Sequence, residues 1–590
     1  MKDLPGPRVA WVLAASLLSA LLLRLSFPVP GWFPLAWAAL APWFVLLRVG
    51  SRREALLGSG AMGLAAAALC LSWQYIVTVP GGIGLSIYVG LYFVLFGLLA
   101  RAVVRRFRMP LVLAAPVLWV GCEFLRSILF TGFPWMFLGH TQFPFKPLIQ
   151  ASDLFGAYAV SFILAASNAA LAEAALAWWR GEGAWRHVAL GAAFAAALAG
   201  AALAYGAWRL ASLELHEGPR IGIVQGNIPQ EIKNQLTLET VAKIFAEHRE
   251  LTLELAARAE GQPLDLVVWP ETMVQLPLNH PEYPVIRQFR EAIGGLALIV
   301  RAPLLIGAHA EVGVDRDVEA EADGTVRAIT DGEITTEDRA YLLPHYADPA
   351  TGARPIRRIH VREGQQVRKG DVLASYESLV FNSAYLFRPG AAPTRADRYD
   401  KTHLVPFGEY IPLPGLLGFL KKMVPMGKGF SAGDRLNLLE AAGTRFGILI
   451  CFESAFPGIA RGYVARDDGP GADFLINISN DGWFKGSHEL DQHLAICGFR
   501  AVECRIGIVR SVNSGISAII EPTGRVRHIV ADASGRRKLV SGIAIGPVSV
   551  RQGLSFYVRH GDLFAGGCLA LSALALLALL AARPPRKPRA

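Results

Sequence analysis

Residues 445–454 read RFGILICFES, an apolar run that ends in a thiol, Cys451, with a carboxylate two positions later at Glu453. A short apolar run bounded by turn residues predicts a strand buried on at least one face. Reading outward, the pattern recurs in RIGIVQGNI (220–228), LDLVVWPET (264–272), PLLIGAHAEV (303–312), FNSAYLF (381–387), DFLINISND (473–481), IGIVRSVNSG (506–515) and SAIIEPTG (517–524). Helical patterns lie between several of them, as in TVAKIFAEHRELTLELAARA (240–259) and ELDQHLAICGFRAVECR (489–505). Strands alternating with helices predict a layered α/β domain over about 212–552.

One segment breaks that rhythm. From about 313 to 379 the chain is rich in β-formers and turn signals, without a helical period. Its end, HVREGQQVRKGDVLASYE, resembles the half-motif of biotinyl/lipoyl-like β modules, but no lysine stands at a hairpin tip as a carrier lysine would. A structural β insertion is the expectation, and a partner-binding module the alternative.

The rest of the chain is too apolar for water. The protein has 590 residues, 53% hydrophobic and 18% charged, with a mean hydropathy of +0.36. Segments of the roughly 20 residues needed to cross a bilayer occur at about 9–28, 33–49, 55–76, 84–104, 109–128, 155–178, 187–210 and 562–582. The predicted organisation is therefore a seven-span bundle (1–211), a water-exposed domain (212–552), an eighth span (561–582) and a basic tail (583–590).

Positive charges sort by side. Lys2 and Arg8 precede the first span, Arg52 and Arg53 follow the second, Arg105 and Arg106 the fourth, Arg180 and Arg186 the sixth, and Arg586, Lys587 and Arg589 end the chain. That asymmetry predicts cytoplasmic termini and a large domain on the opposite face, the periplasm of a bacterial inner-membrane protein. Topology thereby accounts for most of the net charge of +10, which weakens a nucleic-acid reading. The first span is expected to be retained, since no small-residue cleavage site follows it.

The six cysteines form no disulfide framework. Cys497 and Cys504, seven residues apart on a helix of ~1.5 Å rise, stand ~10 Å apart, too far to bridge each other.

Three strand ends deliver a reactive group: Glu271 in VVWPET, Lys401 in RYDKTHLVPFGEYIP and Cys451. A thiol between a strand and a helical turn is placed where backbone N–H groups favour a thiolate and receive an oxyanion. A carboxylate supplies a base, and an ammonium stabilises developing negative charge. Alone, each has a bland reading: a buried small hydrophobe, a cap, a solvated charge. Together, in this order, they resemble the Glu-Lys-Cys triad of the nitrilase superfamily, whose fold is an α-β-β-α sandwich.

The further match of GFPWMFLGH (132–140), FGAYAVSFILAASNAAL (155–171), IVQGNIPQ (223–230) and SNDGWF (479–484) narrows the resemblance to the superfamily's integral-membrane branch, the apolipoprotein N-acyltransferases. It covers nearly the whole chain, the insertion being the main departure. It implies Cys451 as nucleophile, Glu271 as general base and Lys401 as the cation steadying a tetrahedral intermediate. Glu409 in FGEY and Glu453 match further acids of the family's site, and the Phe452 backbone N–H would complete the oxyanion hole. The implied reaction moves a fatty acyl chain from a phospholipid, through a thioester, to the α-amino group of a diacylated apolipoprotein.

Lipid substrates account for the spans, because the catalytic mouth must meet the bilayer. The aromatic loop at 130–149, with Trp135 and His140, is expected to line that path or to form an interfacial belt. The apolar 411–430 segment, carrying Lys421 and Lys422, is expected to be a mobile lid or a packed helix. Asn168 and Glu173 lie in the sixth span, where helix–helix hydrogen bonding is their expected role. His309 and His403 lack metal-ligand spacing and no phosphate-cradling glycine loop occurs, so neither metal nor cofactor is expected. Two rivals stand beside the transferase: a membrane-tethered amidase, in which water resolves the thioester, and a non-catalytic envelope scaffold.

Overall fold

The RFGILICFES run forms the strand Thr444–Ile450, in which Ile448, Leu449 and Ile450 are wholly buried. The structure, a computed structural model, describes residues 8–181, 185–312, 379–391, 397–411, 429–466 and 469–581, with only short backbone strands between 316 and 377. Thr444–Ile450 pairs in parallel with Phe474–Ser479, which pairs in parallel with Gly507–Val512. Central parallel strands are covered on both faces, which is why these runs are apolar throughout rather than alternating. Leu439–Ala441, Ala518–Ile520 and Val526–Arg527 extend this into a six-stranded sheet. Gly447 is required by packing: a Cβ there would come within 2.4 Å of the Tyr463 ring.

A seven-stranded sheet runs in the order Asp397–Asp400, Leu379–Phe387, Leu304–Val312, Leu266–Val268, His216–Gln225 and Gly542–Val550, with Val274–Pro277 beside Leu304–Val312. Side chains divide between its faces with the strand period of two. Ile221, Ile223 and Val268 join Ile448, Ile476 and Ile508 in the core between the sheets. Val224, Val267 and Ile306 pack instead with Ile244, Phe245 and Ile293 of the helices Leu238–Arg258 and Pro284–Val300. Pro457–Val464 and Glu489–Cys504 cover the other sheet, completing an α-β-β-α sandwich. In the insertion, Arg316–Glu319 and Ile356–Ile359 pair antiparallel with Val372–Glu377.

Of the eight predicted spans, six are helices long and apolar enough to cross a membrane: Arg8–Ser26, Val79–Phe107, Leu111–Ile128, Ala157–Arg180, Trp185–Ser212 and Leu563–Ala581. Residues 33–49 instead fold as a 3-10 turn, Phe33–Trp37, and a nine-residue helix, Ala41–Val49. The break is satisfied from outside: Leu40 N–H donates to Asn168 Oδ1 at 2.6 Å, and Asn168 Nδ2 donates to Ala36 O at 2.8 Å. Arg52–Cys70 is a 19-residue helix whose first turn carries Arg52, Arg53 and Glu54. Glu173 accepts from Leu111 N–H at 2.7 Å, tying two helices together as expected. Trp185–Ser212 and Leu563–Ala581 bury only 11% and 17% of their apolar windows, so this is a membrane protein whose outer helices need lipid around them.

The Glu489–Cys504 helix docks the sandwich on the bundle. Gln492 donates to Cys70 O at 3.0 Å and accepts from the indoles of Trp73 at 3.2 Å and Trp135 at 2.8 Å. Glu503 accepts from Ala157 N–H at 2.8 Å, and just past the helix Arg505 donates to Asp153 at 2.6 Å. All six cysteines are free.

Candidate active site

Glu271 follows the Leu266–Val268 strand at a turn where Thr272 adopts φ +53°. The chain there lies so close to Gly307 that a Cβ on that glycine would stand 2.4 Å from Pro270 O and 2.7 Å from Glu271 Cα. Lys401 directly follows Asp397–Asp400, its N–H donating to Asn382 O at 2.9 Å. Cys451 follows Thr444–Ile450 and opens the 3-10 turn Cys451–Ala455, with its own backbone at φ +53°. A left-handed residue between strand and turn is a strained elbow, and such strain persists only where the surroundings enforce it.

The elements deliver these groups to one buried point. Lys401 Nζ donates to Glu409 Oε1 at 2.9 Å and lies 3.8 Å from Glu271 Oε1. Asn382 Nδ2 bridges the two acids, at 2.6 Å from Glu271 Oε1 and 3.2 Å from Glu409 Oε1. The backbone N–H of Asn480 donates to Glu271 Oε2 at 2.8 Å, and that of Val405 to Glu409 Oε2 at 2.8 Å. Cys451 is half-buried at this point and feels the charges of both Glu271 and Lys401.

Burial pushes the Cys451 thiol well above its ordinary value and Glu271 adds to that, while Lys401 pulls it down. Burial likewise raises Glu271, against the pull of Lys401. For Lys401 burial works downward, but Glu409 and Glu271 outweigh it and hold the ammonium above its ordinary value. Lys401 thus keeps its proton and acts as a fixed positive charge between the two carboxylates.

Glu453 has another role. It is wholly buried, and its Oε2 accepts from Ile450 N–H at 2.7 Å. Its Oε1 accepts from Tyr399 OH at 2.7 Å, Thr402 N–H at 2.7 Å and His403 N–H at 3.1 Å. It ties the cysteine elbow to the lysine strand end. Phe452 packs its ring on Trp135 and Phe133, each at 6.2 Å between centroids, and edge-on to Phe456 at 5.0 Å.

Trp135 and His140, expected along a lipid path, are each 3% exposed. The aromatic richness of their loop serves packing between bundle and sandwich: Trp135 stacks on Phe452, and His140 lies between Phe137 and Phe499. Lys421 and Lys422 lie outside the described residues. Asn382, Asn480 and Lys233 escaped the sequence reading; the only trace of Asn382 was a polar residue inside an apolar strand, FNSAYLF.

Behind the elbow, Asp481, Glu489 and His493 bring donor atoms within 4.8 Å of one another. Arg510 Nη2 already meets Asp481 at 2.7 Å, and His493 Nε2 bonds Ser454 Oγ at 2.8 Å, so the cluster is an ion-paired support for the Cys451–Ala455 turn.

A cysteine elbow between two β-sheets, met by a glutamate and a lysine from the facing sheet, defines a carbon-nitrogen-hydrolase-type domain carried on membrane helices. Profiles agree: one described as carbon-nitrogen hydrolase matches residues 363–549, and one described as apolipoprotein N-acyltransferase N-terminal domain matches residues 19–170. An apolipoprotein N-acyltransferase of Geobacter metallireducens is 33% identical over 580 residues, covering 96% of this chain and 95% of the relative. One from Azotobacter vinelandii is 30% identical over 552 residues, covering 89% and 87%. The chain belongs to the apolipoprotein N-acyltransferase family and is an acyltransferase.

Proposed function

We propose that this chain moves a fatty acyl group from a membrane phospholipid, through a thioester on Cys451, to the α-amino group of the diacylglyceryl cysteine of an apolipoprotein. The observation that carries the mechanism is the buried Lys401 ammonium, 3.8 Å from Glu271 and 2.9 Å from Glu409, beside the Cys451 elbow. Glu271 takes the thiol proton as sulfur attacks the ester carbonyl carbon. The resulting oxyanion is balanced by Lys401, with the Phe452 N–H as a further donor. Collapse breaks the acyl C–O bond, and the lysophospholipid alkoxide leaves with the proton held by Glu271. The amine of the acceptor then attacks the thioester, Glu271 accepts its proton, and the sulfur leaves and is reprotonated.

The arginine-rich loops support cytoplasmic termini and a periplasmic sandwich. Purified chain incubated with phospholipid bearing a labelled acyl chain is expected to acquire hydroxylamine-sensitive label, absent in Cys451→Ala. That label is expected to pass to an added diacylated lipopeptide. Release as free acid instead would favour an amidase-type hydrolase, and no label at all a scaffold.

A further inference from the structure

The motif IVQGNIPQ at 223–230 has had no part in the chemistry, yet the short helix that continues it, Gln230–Lys233, ends against Glu271. Lys233 is 1% exposed. Its Nζ donates to Thr272 Oγ1 at 2.9 Å and to the Glu271 carbonyl at 3.2 Å. From the same helix, Gln230 Oε1 accepts from Asn480 Nδ2 at 2.8 Å, and the Asn480 backbone N–H holds Glu271 Oε2. One helix therefore grips the glutamate on both sides: its main chain through Lys233 and the neighbour of its carboxylate through Gln230. The grip on Thr272 matters because a β-branched residue resists the φ +53° it adopts there.

Charge points the same way. Lys401 faces two buried carboxylates, Glu271 and Glu409, so one ammonium alone leaves a negative excess. Lys233 is a second buried cation that pulls on Glu271. The other titratable groups in its field are His248 and His309, both drawn down to about 4, by burial first and then by Lys233, and hence neutral. Burial draws Lys233 itself down to about 7 against Glu271, so it carries its charge through the acidic range.

We propose that Lys233 is a positioning residue for the general base: its ammonium clamps the Glu271–Thr272 turn and places a second buried positive charge against Glu271. This rests on the acylation reading above.

The test measures Cys451 acylation by labelled phospholipid against pH in the full-length chain and in Lys233→Met, Lys233→Gln and Lys233→Arg, with thermal unfolding alongside. Loss of the charge is expected to slow acylation at least about tenfold on the acid side of neutrality, where Lys233 is charged, and to move the acid limb of the profile up by about one unit in the Met and Gln variants. The Arg variant, which keeps the charge, is expected to keep the limb in place. If Met unfolds, the Gln variant, which can still donate, decides. An acid limb that stays put in the neutral variants, whatever the drop in rate, overturns the proposal and leaves only a structural clamp. Failure of the wild-type chain to take up acyl label would sink the acylation reading itself, and this inference with it.

Discussion

Thr402 N–H donates to Glu453 Oε1 at 2.7 Å, joining the residue after the lysine to the second residue after the cysteine across the two sheets. Because the other oxygen of Glu453 holds Ile450 N–H at 2.7 Å, this one carboxylate fixes both sides of the site at once. The placement of Lys401 and Cys451 is thus braced by an acid that bonds the backbone beside each of them.

Glu453→Gln is expected to turn one buried acceptor into a donor facing backbone N–H groups. The unsatisfied groups cost about 2 kcal/mol, read as a lowered thermal midpoint, and acylation falls with it. A variant with unchanged midpoint and unchanged acylation rate would refute the clamp.

Asn382 bridges Glu271 and Glu409 through one amide nitrogen. Asn382→Ala is expected to slow acylation about tenfold to hundredfold, since both carboxylates lose a donor to their charged form. Asn382→Asp, adding a third carboxylate, is expected to be slower still near neutrality. An Asp variant faster than the Ala variant would contradict this electrostatic account.

Asp481 gives a pH dependence of stability with a definite sign. Burial raises its carboxyl, but Arg510 and His493 outweigh burial and hold it at about 2, below the ordinary 3.8. A depressed acid stabilises the fold above its unfolded value and loses that contribution as pH falls through about 2; the shift corresponds to about 2 kcal/mol. The unfolding midpoint in detergent is therefore expected to drop between about pH 4 and 2. Asp481→Asn is expected to lose about 3 kcal/mol at neutral pH, because Arg510 is left buried and unpaired, and to flatten that part of the profile.

Asp153 joins bundle and sandwich, accepting from Arg505 at 2.6 Å, Arg209 at 3.0 Å and Tyr205 at 2.7 Å. Asp153→Ala is expected to cost about 3 kcal/mol and to expose the 505–522 region to protease in the full-length chain. Unchanged proteolysis and midpoint would show that the apolar junction suffices without it.

Much of the fold was legible because burial leaves a local record. Thr444–Ile450, Phe474–Ser479 and Gly507–Val512 read as strands since parallel strands covered on both faces must be apolar throughout. The edge strand Gly542–Val550 was missed, because half-exposed residues carry no such run. The 33–49 segment read as a span, since composition records apolarity but not the breaks that Asn168, over a hundred residues away, satisfies. The burial of Trp135 and His140 was not legible, because an aromatic loop at an interface and one packed inside a junction have the same composition.

By itself the sequence determined that apolar helices sit in lipid, that an α/β layer lies between the seventh and eighth apolar segments, and that Glu271, Lys401 and Cys451 follow their strands within three residues, since these depend on periodicity within a few residues. Only the tertiary structure decided which charges meet: that Lys401 has two carboxylate partners, that Asn382 bridges them, that Glu453 serves the backbone, and that Lys233 lies against Glu271. Coulomb and hydrogen-bond energies are set by distances across the fold, and separation along the chain does not encode those distances.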